Sequence, residues 1–221
     1  MKKILVVVAH PDDEVLGCGG TLLKHNKNGD EVNVFFMTDG ESSRESKNIS
    51  YRKKQASEVC KQISCNKSFF NNFPDNSMDT IPLLEIAKKV EETIRIVKPD
   101  IIYSHHLDDL NVDHQLTAKS VLTATRPMTD TFVSEINCFE ILSSTHYLSG
   151  TAYDTFSPNY FIDISAEISE KINLMSIYKK ELQAYPNPRS KKGIEVLSNY
   201  RGMQVGLKNA EAFIQVRKLS K

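Results

Sequence analysis

Apolar, β-branched runs alternate with amphipathic segments along the first two thirds of the chain. Residues 3–9 (KILVVVA) are an almost continuous apolar run and predict a buried strand. Residues 13–27 predict a helix with an acidic first turn, Lys24, His25 and Lys27 in its last turns, and Asn28-Gly29 as a stop. Residues 31–38 (EVNVFFMT) predict a second strand, 51–63 a second helix with Ala56, Val59 and Ile63 on one face, and 68–71 a third strand. Residues 81–97 predict a third helix, apolar at Leu84, Ile86, Val90 and Ile94, with Pro82 in its first turn and Pro99 past its end. A strand at 100–104, a helix at 113–125 and a strand at 136–142 complete the alternation.

Strands alternating with helices predict an α/β protein: a doubly wound, Rossmann-like, mostly parallel sheet with helices on both faces and strand order 3-2-1-4-5. After Ser143 the rhythm changes. Residues 159–164 predict a strand, 168–183 a helix, 189–202 a further helix and 212–216 a last strand, with Pro186-Asn187-Pro188 as a break. No repeat or linker divides residues 1–221, so one domain with C-terminal additions is expected.

The composition narrows the function classes. Lys+Arg and Asp+Glu are both 28, so the formal net charge is +0 and no long-range field draws in nucleic acid or anionic membrane. The four cysteines, Cys18, Cys60, Cys65 and Cys138, lack C-x-x-C spacing and read as reduced thiols of a cytoplasmic protein. The N-terminal apolar run stops at His10, too soon for a signal peptide, and no run reaches the ~20 apolar residues of a membrane span.

Against that neutral background two stretches concentrate His and Asp. "AHPDDE" (residues 9–14) follows the first strand, and "SHHLDDLNVDHQ" (residues 104–115) follows the fourth. In an open parallel sheet ordered 3-2-1-4-5 those strands are neighbours, and ligands bind beyond their carboxyl ends. Two clusters about 100 residues apart therefore meet at the switch point. Acidic residues at a helix start also serve as caps and dipole partners, so the first cluster alone leaves capping and chemistry open. The second cluster tips the balance toward a divalent cation. His10 and Asp13 can ligate from two sides of a turn stiffened by Pro11, His114 is the best third ligand, and Asp12 stays free for proton work. His25 and His146 lack such company and read as structural or exposed.

These residues resemble the PIG-L/LmbE-like zinc-dependent N-deacetylases, of the bacterial amino-sugar type. "AHPDDE" and "NVDH" (residues 111–114) carry the resemblance, supported in order by "TDGE" (38–41), Arg52, "FPDN" (73–76), Arg201-Gly202 and "AEAF" (210–213). The resemblance implies a Rossmann-like fold and one Zn2+ per chain on His10, Asp13 and His114. It further implies Asp12 as general base and an N-acetyl amino sugar as substrate, with Arg52 and Asp75 contacting it. Several relatives carry a His where this chain has Asn111, which can donate a hydrogen bond but cannot transfer a proton at neutral pH. Asp12 then serves as base and acid, with Arg52 or His106 supporting the oxyanion and Asn111 contacting substrate. Tyr103, Tyr147 and Phe156 are candidates to face a sugar ring, and residues 143–158 to cover the site. A metal-dependent phosphoesterase and a nucleotide-binding module are the competing readings, though "GCGG" (17–20) lies inside the first helix, where it suits close helix–sheet packing. The carrier of the sugar and any homo-oligomer stay open.

Overall fold

A computed structural model describes residues 1–44, 48–128, 130–148 and 156–220. Seven strands, β1 (Lys3–Val8), β2 (Glu31–Thr38), β3 (Lys67–Phe73), β4 (Ile101–His105), β5 (Glu135–Phe139), β6 (Tyr160–Asp163) and β7 (Ala210–Lys218), form one sheet in the order β3-β2-β1-β4-β5-β7-β6. The first five run parallel in the expected 3-2-1-4-5 order. β7 adds antiparallel to β5, and β6 antiparallel to β7.

Strand alternation divides the core into two layers. Ile4, Val6, Val8 and Tyr103 pack on one face under α1 (Asp13–Lys27), α2 (Ile49–Gln62), α5 (Ile168–Met175) and α6 (Lys191–Met203). Leu5, Val7 and Ile102 pack on the other face under α3 (Leu83–Val97) and α4 (Val112–Ala124). From Ile4 to Val8 both faces of β1 are buried, which is why that stretch is a continuous apolar run rather than an alternation.

Three expectations need correction. Leu84 is 63 % exposed: the buried stripe of α3 is Ile86, Val90, Ile94 and Val97, and at about 100° per residue Leu84 lies roughly 200° from Ile86. The predicted helix at 168–183 stops at Met175 and continues as tight turns through Glu181. Those turns are favoured because they bring Tyr178 and Glu181 inward onto Glu14 and Arg52. Tyr103 does not face a ligand; it is buried in the core, its hydroxyl 2.9 Å from His25 Nε2.

The glycine-rich stretch of α1 does serve packing. A Cβ on Gly17 would lie 2.3 Å from Phe139, and one on Gly20 2.8 Å from Ile164. The helix breaks at Cys18 (φ −146°), which frees backbone groups on both sides. The buried Glu211 carboxylate accepts the N–H groups of Gly20 and Thr21 at 2.8 and 2.7 Å, and Lys171 Nζ donates to Leu16 O at 2.9 Å. The break thus leaves these groups satisfied.

Candidate active site

The site lies beyond the carboxyl ends of β1 and β4, where strand order reverses. The chain leaving β1 is pinned on both sides. Ala9 O accepts from the N–H and the hydroxyl of Thr38, at 2.9 and 2.8 Å, and Ala9 N–H donates to His105 Nε2 at 2.9 Å. Gly40 packs against Pro11 at positive φ (+67°), where a Cβ would come within 2.8 Å of the proline ring. Asp12 itself has φ 121°, a conformation that L residues rarely adopt and that surrounding contacts must hold. Its N–H donates to Glu14 Oε2 at 2.9 Å, and Tyr178 Oη donates to Glu14 Oε1 at 2.5 Å.

This backbone turns His10 and Asp13 toward His114, at the start of α4. One ligand atom from each of the three lies within 4.8 Å of the others, so together they could hold a metal ion. His10 Nδ1 is 3.2 Å and His114 Nε2 3.3 Å from Asp13 Oδ2. Asp13 Oδ1 is buried and has no hydrogen-bond partner among the described residues. Burial lowers the proton affinity of both imidazoles, yet the neighbouring carboxylates prevail and raise His10 to about 10 and His114 to about 9. Burial would raise Asp13, but His114, His105 and His10 hold it well below the usual carboxylate range. A buried His2Asp set, with an ionised carboxylate between two rings, matches the donor chemistry of a zinc-like ion.

Each imidazole also meets a carboxylate with its other nitrogen. His114 Nδ1 is 3.1 Å from Asp109 Oδ1, and His10 Nε2 is 3.2 Å from both Asp113 Oδ2 and Asp75 Oδ1. His10, Asp75 and Asp113 thus make a second candidate ligand group. Its carboxylates are already engaged: Asp113 accepts the N–H groups of Asn76 and Met78 at 2.8 and 3.0 Å, and Asp75 accepts from Ser43 and Asn76. This side therefore orients His10 rather than offering free ligands.

Asp12 stands beside the cluster with its two oxygens in different surroundings. Oδ2 is 2.9 Å from Arg189 Nη1 and 3.3 Å from Arg52 Nη2, whereas Oδ1 is buried without a partner among the described residues. Burial raises its proton affinity against the opposing pull of Arg189 and Arg52. A cleft of about 100 Å³ opens here, lined by His10, Asp12, Gly40, Arg44, Arg52, Asp75, Asn76, Glu181 and Arg189.

The other sequence candidates separate. Asp75 lines the cleft. Arg52 does too, but its terminal nitrogens are engaged by Asp12 and by Glu181 at 2.9 Å. Asn111 caps α4: Oδ1 accepts from Asp113 N–H at 2.9 Å, and Nδ2 donates to Asn76 at 3.1 Å. His106 is not among the residues that line the cleft; its ring meets Phe156 edge-on, and its Nε2 is buried without a partner among the described residues. Residues 149–155 of the proposed cover lie outside the described residues, and Tyr147 is exposed. Sequence reasoning missed Arg189, Glu181 and the role of Asp109. Only Asp109 carried a signal, its place in the second His/Asp stretch.

Fold and site together define a doubly wound α/β protein with a His/Asp cluster suited to a metal at its switch point. The chain belongs to the PIG-L family: residues 5–125 match the family described as PIG-L, GlcNAc-PI de-N-acetylase. It is similar to diacetylchitobiose deacetylase of Thermococcus kodakarensis, 24 % identical over 201 residues that cover 82 % of this chain and 70 % of the relative. Among solved structures, N,N'-diacetylchitobiose deacetylase from Pyrococcus horikoshii superposes with a TM-score of 0.80 at 21 % identity, covering 98 % of this chain and 84 % of that one. GalB of Pseudomonas putida, a 4-carboxy-2-hydroxymuconate hydratase, superposes at 0.79 with 20 % identity, covering 100 % of this chain and 98 % of that one. The fold therefore serves more than one reaction. No helix among the described residues is long and apolar enough to cross a membrane.

Proposed function

We propose that this chain is a zinc-dependent hydrolase that removes the acetyl group from an N-acetylated amino sugar of the GlcNAc type. The observation that carries the reading is the unpartnered Oδ1 of Asp12 beside the His10, Asp13 and His114 set. Those three residues would hold the ion and leave a coordination position open. When bound, zinc lowers the pKa of a water from ~15.7 to about 7 and polarises the acetyl carbonyl. Asp12 Oδ1 accepts the proton of the attacking water and returns it to the leaving amine. Asn111 takes no part in proton transfer, since its amide caps α4. Asp75 accepts hydrogen bonds from sugar hydroxyls in the cleft, while Arg52 acts on substrate chiefly by holding Asp12 and Glu181. The family membership and the deacetylases among the relatives support amide hydrolysis over the hydration that GalB performs.

Metal analysis combined with acetate release from a panel of N-acetyl sugars tests this. About one tightly bound ion per chain is expected, against about two for a phosphoesterase. Asp12→Asn retains the metal and loses turnover by about 10²–10⁴-fold, whereas His114→Ala loses the metal. Wild-type turnover in Asp12→Asn, or no acetate from any sugar, overturns the reading.

A further inference from the structure

Asp12 is gripped by a part of the chain far from the segment that builds the metal-ligand cluster. Arg189 Nη1 donates to Asp12 Oδ2 at 2.9 Å and to Glu181 Oε2 at 3.3 Å, while its Nε donates to Ser143 Oγ at 2.7 Å. Arg52 closes the ring from the other side, with Nη2 3.3 Å from the same Asp12 oxygen and Nη1 2.9 Å from Glu181 Oε1. Two guanidinium groups and two carboxylates thus form a closed square around one oxygen of Asp12. Arg189 and Glu181 lie outside residues 5–125, the part matched to the family.

The rotation of an aspartate carboxylate about its last torsion is broad and roughly two-fold. A free Asp12 would present either oxygen to the cleft. The hydrogen bond from Arg189 and the ion pair with Arg52 on Oδ2 remove that freedom and leave Oδ1 as the oxygen without a partner among the described residues. The planar fork of arginine is needed, because Nη1 and Nε serve different partners at once; a lysine ammonium is a single point charge on a flexible stem. Asp12 also sits at φ 121°, a backbone conformation that the contacts around it must hold.

We propose that Arg189 is a positioning residue for Asp12: it orients the carboxylate so that Oδ1 alone carries the proton. This rests on the reading of Asp12 as the proton carrier. The test uses Arg189→Ala, Arg189→Lys and Asp12→Asn in the full chain. It measures metal content, thermal midpoint, kcat and KM with the panel sugar that wild type cleaves fastest. Arg189→Ala is expected to keep its metal and its KM and to lose kcat by about 10²-fold, the scale of a small misplacement of a reacting group. Added guanidinium restores part of that loss, and Arg189→Lys restores charge without the fork and stays below wild type. A wild-type kcat in either variant overturns the inference, as does a folded, metal-loaded Arg189→Ala that guanidinium leaves unimproved. If Arg189→Ala does not fold, Arg189→Lys decides by its kcat at unchanged KM. Wild-type turnover in Asp12→Asn would instead sink the parent reading, so the two failures are distinct.

Discussion

Asp109 Oδ1 lies 3.1 Å from Nδ1 of His114, and this contact decides which nitrogen of the ring faces Asp13. Asp109 is itself fixed by the hydroxyls of Thr145 and Ser144, at 2.5 and 3.1 Å, and by Asn111 N–H at 2.9 Å. Burial pushes its carboxyl up, but His114 and Thr145 prevail and bring it down to about 2, so it is an anion at every working pH. With Nδ1 turned to Asp109, Nε2 is left for an ion.

Removing that support is expected to weaken metal binding while leaving the three proposed ligands in place. Asp109→Ala is expected to lose about 10–100-fold in metal affinity. A competition titration against a chelator measures it, and unchanged affinity would show that Asp109 does not orient His114.

Protons compete for the same ring nitrogens. Burial works against protonation of both rings, but the neighbouring carboxylates raise His10 to about 10 and His114 to about 9, above the ordinary 6.5. An incoming ion must displace those protons, so apparent affinity rises with pH and levels off once both rings are neutral. The same shifts stabilise the metal-free fold fully below about 6.5 and lose that contribution as pH rises through about 9 and then about 10. Zinc titrations and thermal midpoints from neutral to alkaline pH check both trends; affinity that falls with rising pH would contradict them.

Arg201 forms a buried ion pair. Arg201 grips Glu140 with two bonds, Nε to Oε1 at 2.7 Å and Nη2 to Oε2 at 2.6 Å, and His146 Nε2 lies 2.7 Å from the same carboxylate. Burial works against ionisation of Glu140, but His146 and Arg201 hold its carboxyl below the ordinary 4.5. Its stabilising contribution is therefore present above about 4.5 and is lost as pH falls through the depressed value. Arg201→Ala leaves the buried Glu140 carboxylate with His146 as its remaining ionic partner and is expected to cost up to about 3–5 kcal/mol. Denaturant midpoints at neutral and acid pH should show a large loss at neutrality and a smaller one in acid.

Helix–sheet contact at Gly17 gives a packing test. Gly17→Ala must push Phe139 aside, at a cost of about 1–3 kcal/mol. Gly19→Ala meets its nearest atom, Val15 Cγ1, at 3.3 Å and should cost less. Thermal midpoints compare the two, and equal values would mean that α1 shifts freely.

Much of the fold was legible because strand and helix periods are local properties. The run 3–9 and the alternation through residue 142 required only neighbours in sequence to be read, and the 3-2-1-4-5 order followed from the connection rules of doubly wound sheets. The helix predicted at 168–183 ends at Met175 for the opposite reason. Ile168, Ile172 and Met175 have helical spacing, but the turns after Met175 are set by Glu14 and Arg52, more than 100 residues away. Local propensity does not encode that pull.

The site divides in the same way. His10, Asp12 and Asp13 sit within one turn, and His114 stands in the only other His/Asp stretch, so residue type and spacing together with the switch-point rule sufficed to name them as a set. The sequence by itself determined which groups can bind a cation and which can carry a proton. Only the tertiary structure decided how they are aimed: Asp109 and Asp113 behind the two imidazoles, Glu14 and Tyr178 under the backbone of Asp12, Arg189 and Glu181 across its carboxylate. Orientation comes from hydrogen bonds and ion pairs between distant segments, and such contacts leave no period in the chain that makes them.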